Sequence, residues 1–159
     1  MSLPIRAVQL IEQFDLQAHP EGGYYKETYR SAQSLQGKDR QLMTSILFLL
    51  TGSDVSHFHR IQSDECWYFH EGAPLVVHTL DADGHHELLL GTNIEAGQQP
   101  FHLVPANTIF GSAILGDEGY VLVSCAVAPG FDFSEFELFG YEELLKDFPQ
   151  HEAIIQKLT

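Results

Sequence analysis

The sequence predicts an all-β protein with short helices near its N- and C-termini. Short apolar segments recur through the middle of the chain, and turn signals such as Asp81–Gly84 and Gly116–Gly119 separate them. Asp and Gly favour turns because they tolerate the positive φ angles that hairpins need. Strands at roughly regular spacing, divided in this way, indicate a β sandwich or barrel. We place the barrel core at about residues 42–128.

The predicted elements follow from the spacing of apolar residues. A period near 3.6 residues indicates a helix, and alternation or a short continuous apolar run indicates a strand. Pro4 suits the first turn of the N-terminal helix, since proline is tolerated there. The principal predicted elements are a helix at Leu3–Phe14, strands at Tyr24–Arg30, Leu42–Leu50, Leu75–Leu80, His86–Leu90, Phe101–Val104, Thr108–Leu115 and Gly119–Val127, and helices at Tyr141–Lys146 and Glu152–Leu158.

Length and composition restrict the classes of function. A chain of 159 residues is the size of one domain, so we expect a single domain over residues 1–159. Its formal net charge of -14 argues against nucleic-acid or anionic-membrane partners, which need clustered Lys and Arg. No apolar run has the length of a signal peptide or a membrane span. Cys66 and Cys125 have no zinc-site spacing, so we expect reduced thiols and a cytoplasmic protein.

The segment Gly52–Gly72 holds the main candidate site. His57 and His59 are spaced i, i+2 and therefore share one face of a strand. Glu65 and Trp67 share a face on the strand that follows, and the two strands would form one wall if they paired as a hairpin. Two histidines and one carboxylate can bind a transition metal and leave coordination positions open. His85 and His86, beside the Asp81–Gly84 turn, are expected to be solvated and not to bind a metal.

Three blocks of this sequence resemble the DUF985, or cupin 5, family of small cupins. They are the His19–Tyr25 segment, the Phe48–His59 segment and the Ala128–Phe133 segment, and the spacing from Gly52 to Gly72 is similar to the first cupin motif. The resemblance implies a cupin-type double-stranded β-helix, or jelly-roll barrel, with His57, His59 and Glu65 lining its pocket. It also implies a homodimer, with the Tyr24–Arg30 strand as the candidate contact.

The second cupin motif differs from the pattern of metal-binding cupins. Phe110 stands where the resemblance predicts a fourth, histidine ligand, while Asn107 replaces a glycine and tolerates the same left-handed conformation. A divalent metal could still be held by His57, His59 and Glu65. His102 or His70 could supply the missing ligand. Alternatively the pocket could be metal-free, with His57 or His59 as general base or hydrogen-bond donor.

Three functions therefore stay open for the pocket. The first is an enzyme acting on a small polar metabolite, such as a sugar or sugar-nucleotide isomerase or epimerase similar to the deoxysugar epimerases. The second is a metal-dependent enzyme that uses a site of two histidines and one glutamate. The third is a module that binds a small molecule without catalysis. In each case Glu65, Trp67 and Phe110 are the candidate ligand-binding residues.

Overall fold

The computed structural model describes residues 2–159, and it confirms the all-β class with short terminal helices. The helices are α1 (Ile5–Phe14), α2 (Tyr141–Asp147) and α3 (Glu152–Lys157), and short 3-10 turns lie at Ile94–Ala96, Phe133–Glu135 and Pro149–His151. The strands are β1 (Gln17–Ala18), β2 (Tyr24–Arg30), β3 (Thr44–Thr51), β4 (Val55–Arg60), β5 (Asp64–Gly72), β6 (Leu75–Asp81), β7 (Gly84–Leu90), β8 (Phe101–Val104), β9 (Ile109–Ile114), β10 (Tyr120–Ala128) and β11 (Glu137–Leu138).

The strands form two antiparallel sheets that face each other as a jelly roll. The first sheet has the order β1-β2-β3-β10-β5-β8, and the second has the order β11-β4-β9-β6-β7. Three of these strands lie outside residues 42–128: β1 pairs with β2, β2 pairs with β3, and β11 pairs with β4. The two sheets therefore include segments on both sides of residues 42–128.

β4 and β5 do not pair as a hairpin, so the condition for a single wall is not met. β4 pairs with β9 and β11, whereas β5 pairs with β10 and β8. The chain passes from the second sheet to the first at the short corner between Arg60 and Asp64. The consequence for the site is that His59 and Glu65 belong to opposite sheets.

The two inner faces enclose the main hydrophobic core. Alternation along β5 turns Trp67 inward, where it is 1% exposed, while Tyr68 on the outer face is 43% exposed. Phe48 from the first sheet and Phe110 from the second pack against the Trp67 indole with edge-to-face ring geometry. Aromatic pairs of this kind stabilise a core beyond the area that they bury. Ile61, Cys125 and Val127 of the same core border a cavity between the sheets.

The terminal helices cover the outer faces of the sheets. α1 buries Ala7 and Leu10 against Leu49 and Leu122 of the first sheet. On the second sheet, the outward-facing Phe58 packs among apolar residues that include Leu80, Leu144, Ile155 and Leu158. The helices therefore remove apolar sheet surface from water, which is the main source of their stability. No helix within residues 2–159 has the length and apolar character needed to cross a membrane.

Candidate functional site

The barrel contains a cavity of about 310 Å³. The cavity lies where the inner faces of β2, β3, β4, β5 and β10 meet the segment that follows β10. Its wall combines titratable groups with apolar side chains and a thiol: His19, Glu21, Tyr25, Glu27, Arg30, Thr44, Ile46, His59, Ile61, Glu65, Cys125, Val127, Phe131, Asp132 and Phe133. Two of the predicted site residues, His59 and Glu65, are therefore in the wall.

A loop between β1 and β2 brings His19 and Glu21 into this wall. The loop lies tightly against the barrel because Gly22 and Gly23 both have positive φ angles, of 109° and 75°. A Cβ atom on Gly22 would lie 2.0 Å from the carbonyl oxygen of Val55, a distance that no side chain tolerates. Glycine at this position is therefore what allows the close approach.

Glu21 and His59 form a buried pair at the centre of the site. His59 Nε2 lies 3.0 Å from Glu21 Oε2, and His59 Nδ1 lies 2.7 Å from the carbonyl oxygen of His57. Both ring nitrogens thus face acceptors, which favours a doubly protonated imidazolium that donates two hydrogen bonds. Burial lowers the pKa of His59, but the charge and hydrogen bond of Glu21 outweigh burial, and the pKa is raised.

The same pair holds Glu21 in its ionised form. Burial alone raises the pKa of the Glu21 carboxyl, and the positive charge and hydrogen bond of His59 oppose this effect. The net result is a pKa below the ordinary value for glutamate. At neutral pH the pair is therefore a carboxylate and an imidazolium, whose charges balance inside the cavity.

His19 is a neutral imidazole with a defined tautomer. The backbone N–H of Glu21 donates to His19 Nδ1 over 3.1 Å. Nδ1 is therefore an acceptor, and the proton of the neutral ring is on Nε2. Burial lowers the pKa of His19 and outweighs the opposing effect of Glu21, so the ring stays uncharged near neutral pH. The His19 ring contacts Tyr25 edge-on, with centroids 4.4 Å apart.

Glu65 is a carboxyl group that keeps its proton at neutral pH. Burial raises its pKa to about 8, the charge of His59 acts against this rise, and the negative charge of Glu21 adds to it. The indole N–H of Trp67 also opposes the rise. Two carboxyl groups in one cavity thus differ in protonation, because only Glu21 has a direct cationic partner.

The other predicted residues lie around the cavity. His57 is half-buried and does not line it; its backbone N–H and its Nδ1 each lie 2.8 Å from the carbonyl oxygen of Glu21. Phe110 pairs with His59 on neighbouring strands, and their ring centroids are 4.2 Å apart. Trp67 belongs to the core next to the cavity. His57 therefore holds the Glu21 loop, while Phe110 and Trp67 support the wall from behind.

The predicted metal ligands do not fit a metal in this geometry. His57 Nδ1 is engaged by the Glu21 carbonyl, and Phe110 places an apolar ring directly beside His59. Throughout residues 2–159, only His78, His85 and Glu87 bring three possible ligand atoms within 4.8 Å of one another, and they lie outside the cavity. His57, His59 and Glu65 therefore do not converge on one position in the cavity where they could share an ion.

The sequence interpretation missed Glu21 and His19 as functional residues. They lie in a loop, where no period of two or 3.6 residues indicates the direction of a side chain. The signal was present in the His19–Tyr25 block, which joins a histidine and a glutamate to two adjacent glycines. Adjacent glycines before a strand indicate a close backbone approach, and titratable residues beside it are then candidates for a site.

Solved structures with this fold include close relatives. Protein SO0799 from Shewanella oneidensis is 44% identical, with a TM-score of 0.91 over 100% of this chain and 98% of that one. A hypothetical protein from Leishmania major is 39% identical, with a TM-score of 0.89 over 96% of this chain and 98% of that one. A variant of Bacillus subtilis oxalate decarboxylase, at 15% identity and a TM-score of 0.58, shares the fold over 91% of this chain and 38% of its own.

The two facing sheets and the cavity between them are those of a cupin. Residues 8–139 match the profile described as "Cupin superfamily (DUF985)", and the chain belongs to that family. Uncharacterized protein YML079W of Saccharomyces cerevisiae is 28% identical over 160 residues, which cover 90% of this chain and 80% of the yeast protein. The resemblance drawn from the three sequence blocks is confirmed.

Proposed function

We propose that the cavity binds a small polar metabolite and moves protons on it, as isomerases and epimerases do. The observation that carries the proposal is the opposite perturbation of two buried carboxyl groups, Glu21 and Glu65. Environments that separate the pKa values of neighbouring titratable groups provide an acid and a base at the same pH. Such a pair suits proton transfer next to a carbonyl group.

In this proposal Glu65 is the acid and Glu21 is the base. The Glu21 carboxylate removes a proton from the carbon next to the substrate carbonyl, while Glu65 donates its proton to the carbonyl oxygen. The product of this step is a neutral enol, with Glu21 protonated and Glu65 ionised. Glu21 then gives its proton to the neighbouring carbon, or to the other face of the same carbon after the enol has turned in the cavity. Glu65 regains a proton from an enol hydroxyl as the carbonyl re-forms, which completes isomerisation or epimerisation and restores both groups.

His59 and His57 position the base in this proposal. His59 was a candidate base in its own right, but both of its ring nitrogens are engaged by acceptors. Its role is to orient Glu21 and to balance the charge of the carboxylate. His57 anchors the backbone of Glu21 through two contacts to one carbonyl oxygen. A positioned base reacts faster because its geometry is set before the substrate binds.

The cavity wall supports a substrate of sugar size. A cavity of about 310 Å³ is near the lower limit for small-molecule sites. Ile46 and Ile61 can contact the apolar face of a sugar ring, and Thr44 and Tyr25 can bond its hydroxyl groups. Phe131 and Phe133 are in edge-to-face contact beside the cavity and provide a stacking surface for the base of a sugar nucleotide.

The proposal is tested by hydrogen exchange into carbon. The protein is incubated in D₂O with a panel of sugar phosphates and nucleotide sugars, and deuterium incorporation is followed by proton NMR. We expect exchange next to the carbonyl of at least one compound, loss of that exchange in Glu65→Gln, and retention in Glu71→Gln. Glu71 is the matched control because it lies on the same strand as Glu65 but outside the cavity.

Two results would favour the other functions. A compound that raises the melting temperature without any deuterium incorporation would indicate binding without catalysis. Exchange that requires an added divalent metal, and that a chelator abolishes, would indicate a metal-dependent enzyme. Either result would contradict the metal-free acid and base assigned to Glu65 and Glu21.

We also propose that two copies associate through the free edge of β2. Only Tyr24 and Tyr25 of this strand pair with β1, so Lys26–Arg30 have no strand partner on that side among residues 2–159. Unpaired strand edges favour pairing with another chain. The side chain of Tyr29 is 52% exposed on this edge and offers apolar area to a partner.

A further inference from the structure

A second group of possible ligands lies on the opposite side of the second sheet from the cavity. His78 of β6 is paired in register with Glu87 of β7, and Leu80 is paired with His85. Residues at these positions share one face, because side chains alternate along each strand. Leu80 marks this face as the outer one, since it packs in the cluster under the C-terminal helices. His78, His85 and Glu87 are therefore neighbours outside the barrel interior.

The distances between these three side chains suit a small divalent ion. His78 Nδ1 lies 2.9 Å from His85 Nε2 and 4.0 Å from Glu87 Oε1. A tetrahedral zinc ion with bonds of about 2.0–2.1 Å separates its ligand atoms by about 3.3 Å. The observed spacings lie on either side of that value, so small side-chain rotations can bring all three atoms to an ion. The two imidazole rings are already stacked, with centroids 5.1 Å apart.

The histidines are in the form that binds metal. Burial lowers the pKa of His78 to about 4, and the neighbouring His85 and Lys157 act in the same direction. Burial also lowers the pKa of His85. A metal ligand must be unprotonated at the atom that binds, so each neutral ring can bind once its proton lies on its other nitrogen. Lys157 is paired with Asp117 over 2.8 Å, which partly offsets its positive charge near the site.

We propose that His78, His85 and Glu87 bind a zinc ion or a similar borderline divalent transition metal. Two imidazoles and one carboxylate form a ligand set that zinc accepts. His151, in the turn before α3, lies beside His85 with ring centroids 5.7 Å apart. An ion that holds His85 in place would thus also stabilise the contact of the β6–β7 hairpin with the C-terminal segment. His85, expected from the sequence to be solvated, has a binding role here.

Zinc binding to the whole protein tests this site. Protein treated with a chelator and then dialysed is titrated with zinc chloride by calorimetry and by thermal unfolding. We expect one ion per chain and a rise in melting temperature that the chelator reverses. His85→Ala and Glu87→Gln should each weaken binding about tenfold or more, because each removes a ligand. These partly or fully exposed positions carry the test, since substitution of the buried His78 could unfold the protein.

Two controls separate this site from its surroundings. His86→Ala should bind zinc as the unmodified protein does, because His86 is turned toward Asp81, with Nε2 3.2 Å from Asp81 Oδ1. Glu65→Gln should also leave zinc binding unchanged, since Glu65 lies in the barrel cavity. Absence of saturable zinc binding would overturn the proposal. So would a zinc affinity in His85→Ala or Glu87→Gln equal to that of the unmodified protein. So would loss of binding in Glu65→Gln.

Discussion

Glu21 and His59 come from distant parts of the chain and meet through a contact of 3.0 Å between Oε2 and Nε2, with both side chains buried. The pair contributes one negative and one positive charge to the buried part of the cavity wall. Glu65, buried in the same wall, has no cationic partner of its own. The chemistry proposed for the cavity depends on this difference between Glu21, which has a cationic partner, and Glu65, which has none.

Replacing Glu21 tests the pair. In Glu21→Gln the imidazolium loses the charge that raises its pKa, so the pKa of His59 should fall below its ordinary value, as burial dictates. Removing one partner of a buried ion pair costs about 3 kcal/mol of unfolding free energy. Proton NMR of the histidine rings measures the pKa, and denaturant unfolding measures the stability. An unchanged His59 titration would contradict the pairing; His86 serves as the internal control.

Glu65 makes stability depend on pH. The pKa of Glu65 is about 8 in the folded protein, against the ordinary value of 4.5 that applies in the unfolded chain. Between these two pH values, only the folded state holds the proton. The folded state therefore loses stability as pH rises through this window, by up to about 1.4 kcal/mol per pH unit. Glu65→Gln should remove this part of the pH dependence, measured by urea unfolding at several pH values.

The comparison with Glu71→Gln controls for the loss of a carboxyl group from β5. Glu71 lies at the protein surface, where the Arg6 guanidinium donates a hydrogen bond to its carboxylate. This hydrogen bond lowers the pKa of Glu71. This control should retain the decline in stability between about pH 5 and 8 that Glu65 produces. Equal pH profiles for Glu65→Gln and the unmodified protein would show that Glu65 ionises normally.

The fold of the loop before β2 depends on Gly22. In Gly22→Ala the new Cβ would meet the Val55 carbonyl oxygen at 2.0 Å, at a φ of 109°. We expect a loss of more than about 2 kcal/mol of unfolding free energy, together with displacement of Glu21. Gly37→Ala is the matched control, because Gly37 also has positive φ but no atom lies within 4 Å of its Cβ position. It should cost about 1 kcal/mol.

Equal losses in the two glycine variants would show that backbone conformation alone, and not the close approach to Val55, requires Gly22. Denaturant unfolding measures the losses. The displacement of Glu21 is read independently from the His59 ring titration, which should move in Gly22→Ala and stay unchanged in Gly37→Ala.

The strands β2 to β10 were predictable from sequence because their side-chain period and turn residues are local signals, whereas the two-residue strands β1 and β11 are too short to show a period. β2 and β8 begin and end at the predicted residues, and Asn107 has the left-handed φ expected of it, at 65°. The positions of strand ends elsewhere differ by a residue or two, as is usual where pairing with neighbours decides the boundary. The all-β class and the jelly roll follow from these signals and from the three family blocks.

The site was predictable only in part, because it depends on which sheet each strand joins. Alternation along β5 correctly predicted that Glu65 faces inward. The sequence also predicted that His59 lies near Glu65, but on a paired strand, whereas the two residues lie on opposite sheets of the barrel. His57 shares the parity of His59, yet the β4–β9 pairing shifts register between Ser56 and His59. Glu21 arrives from a loop whose path is set by contacts distant in sequence. Local periodicity carries no information on these three points.

The free edge of β2 predicts self-association. We expect light scattering at micromolar concentration to report a dimer, and Tyr29→Lys to shift the protein toward monomer by placing a charge in the contact. Leu115→Lys is the matched control, because Leu115 is 49% exposed, similar to Tyr29, but lies in the turn after β9. A monomer in the unmodified protein, or equal weakening by both substitutions, would contradict association through β2.

The protonation of Glu65 is the central claim, and carbon NMR of the side-chain carboxyl groups tests it most directly. The Glu65 signal is assigned by its absence in Glu65→Gln, and its chemical shift is followed from about pH 3 to pH 10. We predict a midpoint at about 8, because the carboxyl is buried and the positive charge of His59 is already paired with Glu21. A midpoint near the ordinary glutamate value of 4.5 would contradict it and would remove the proposed acid from the cavity.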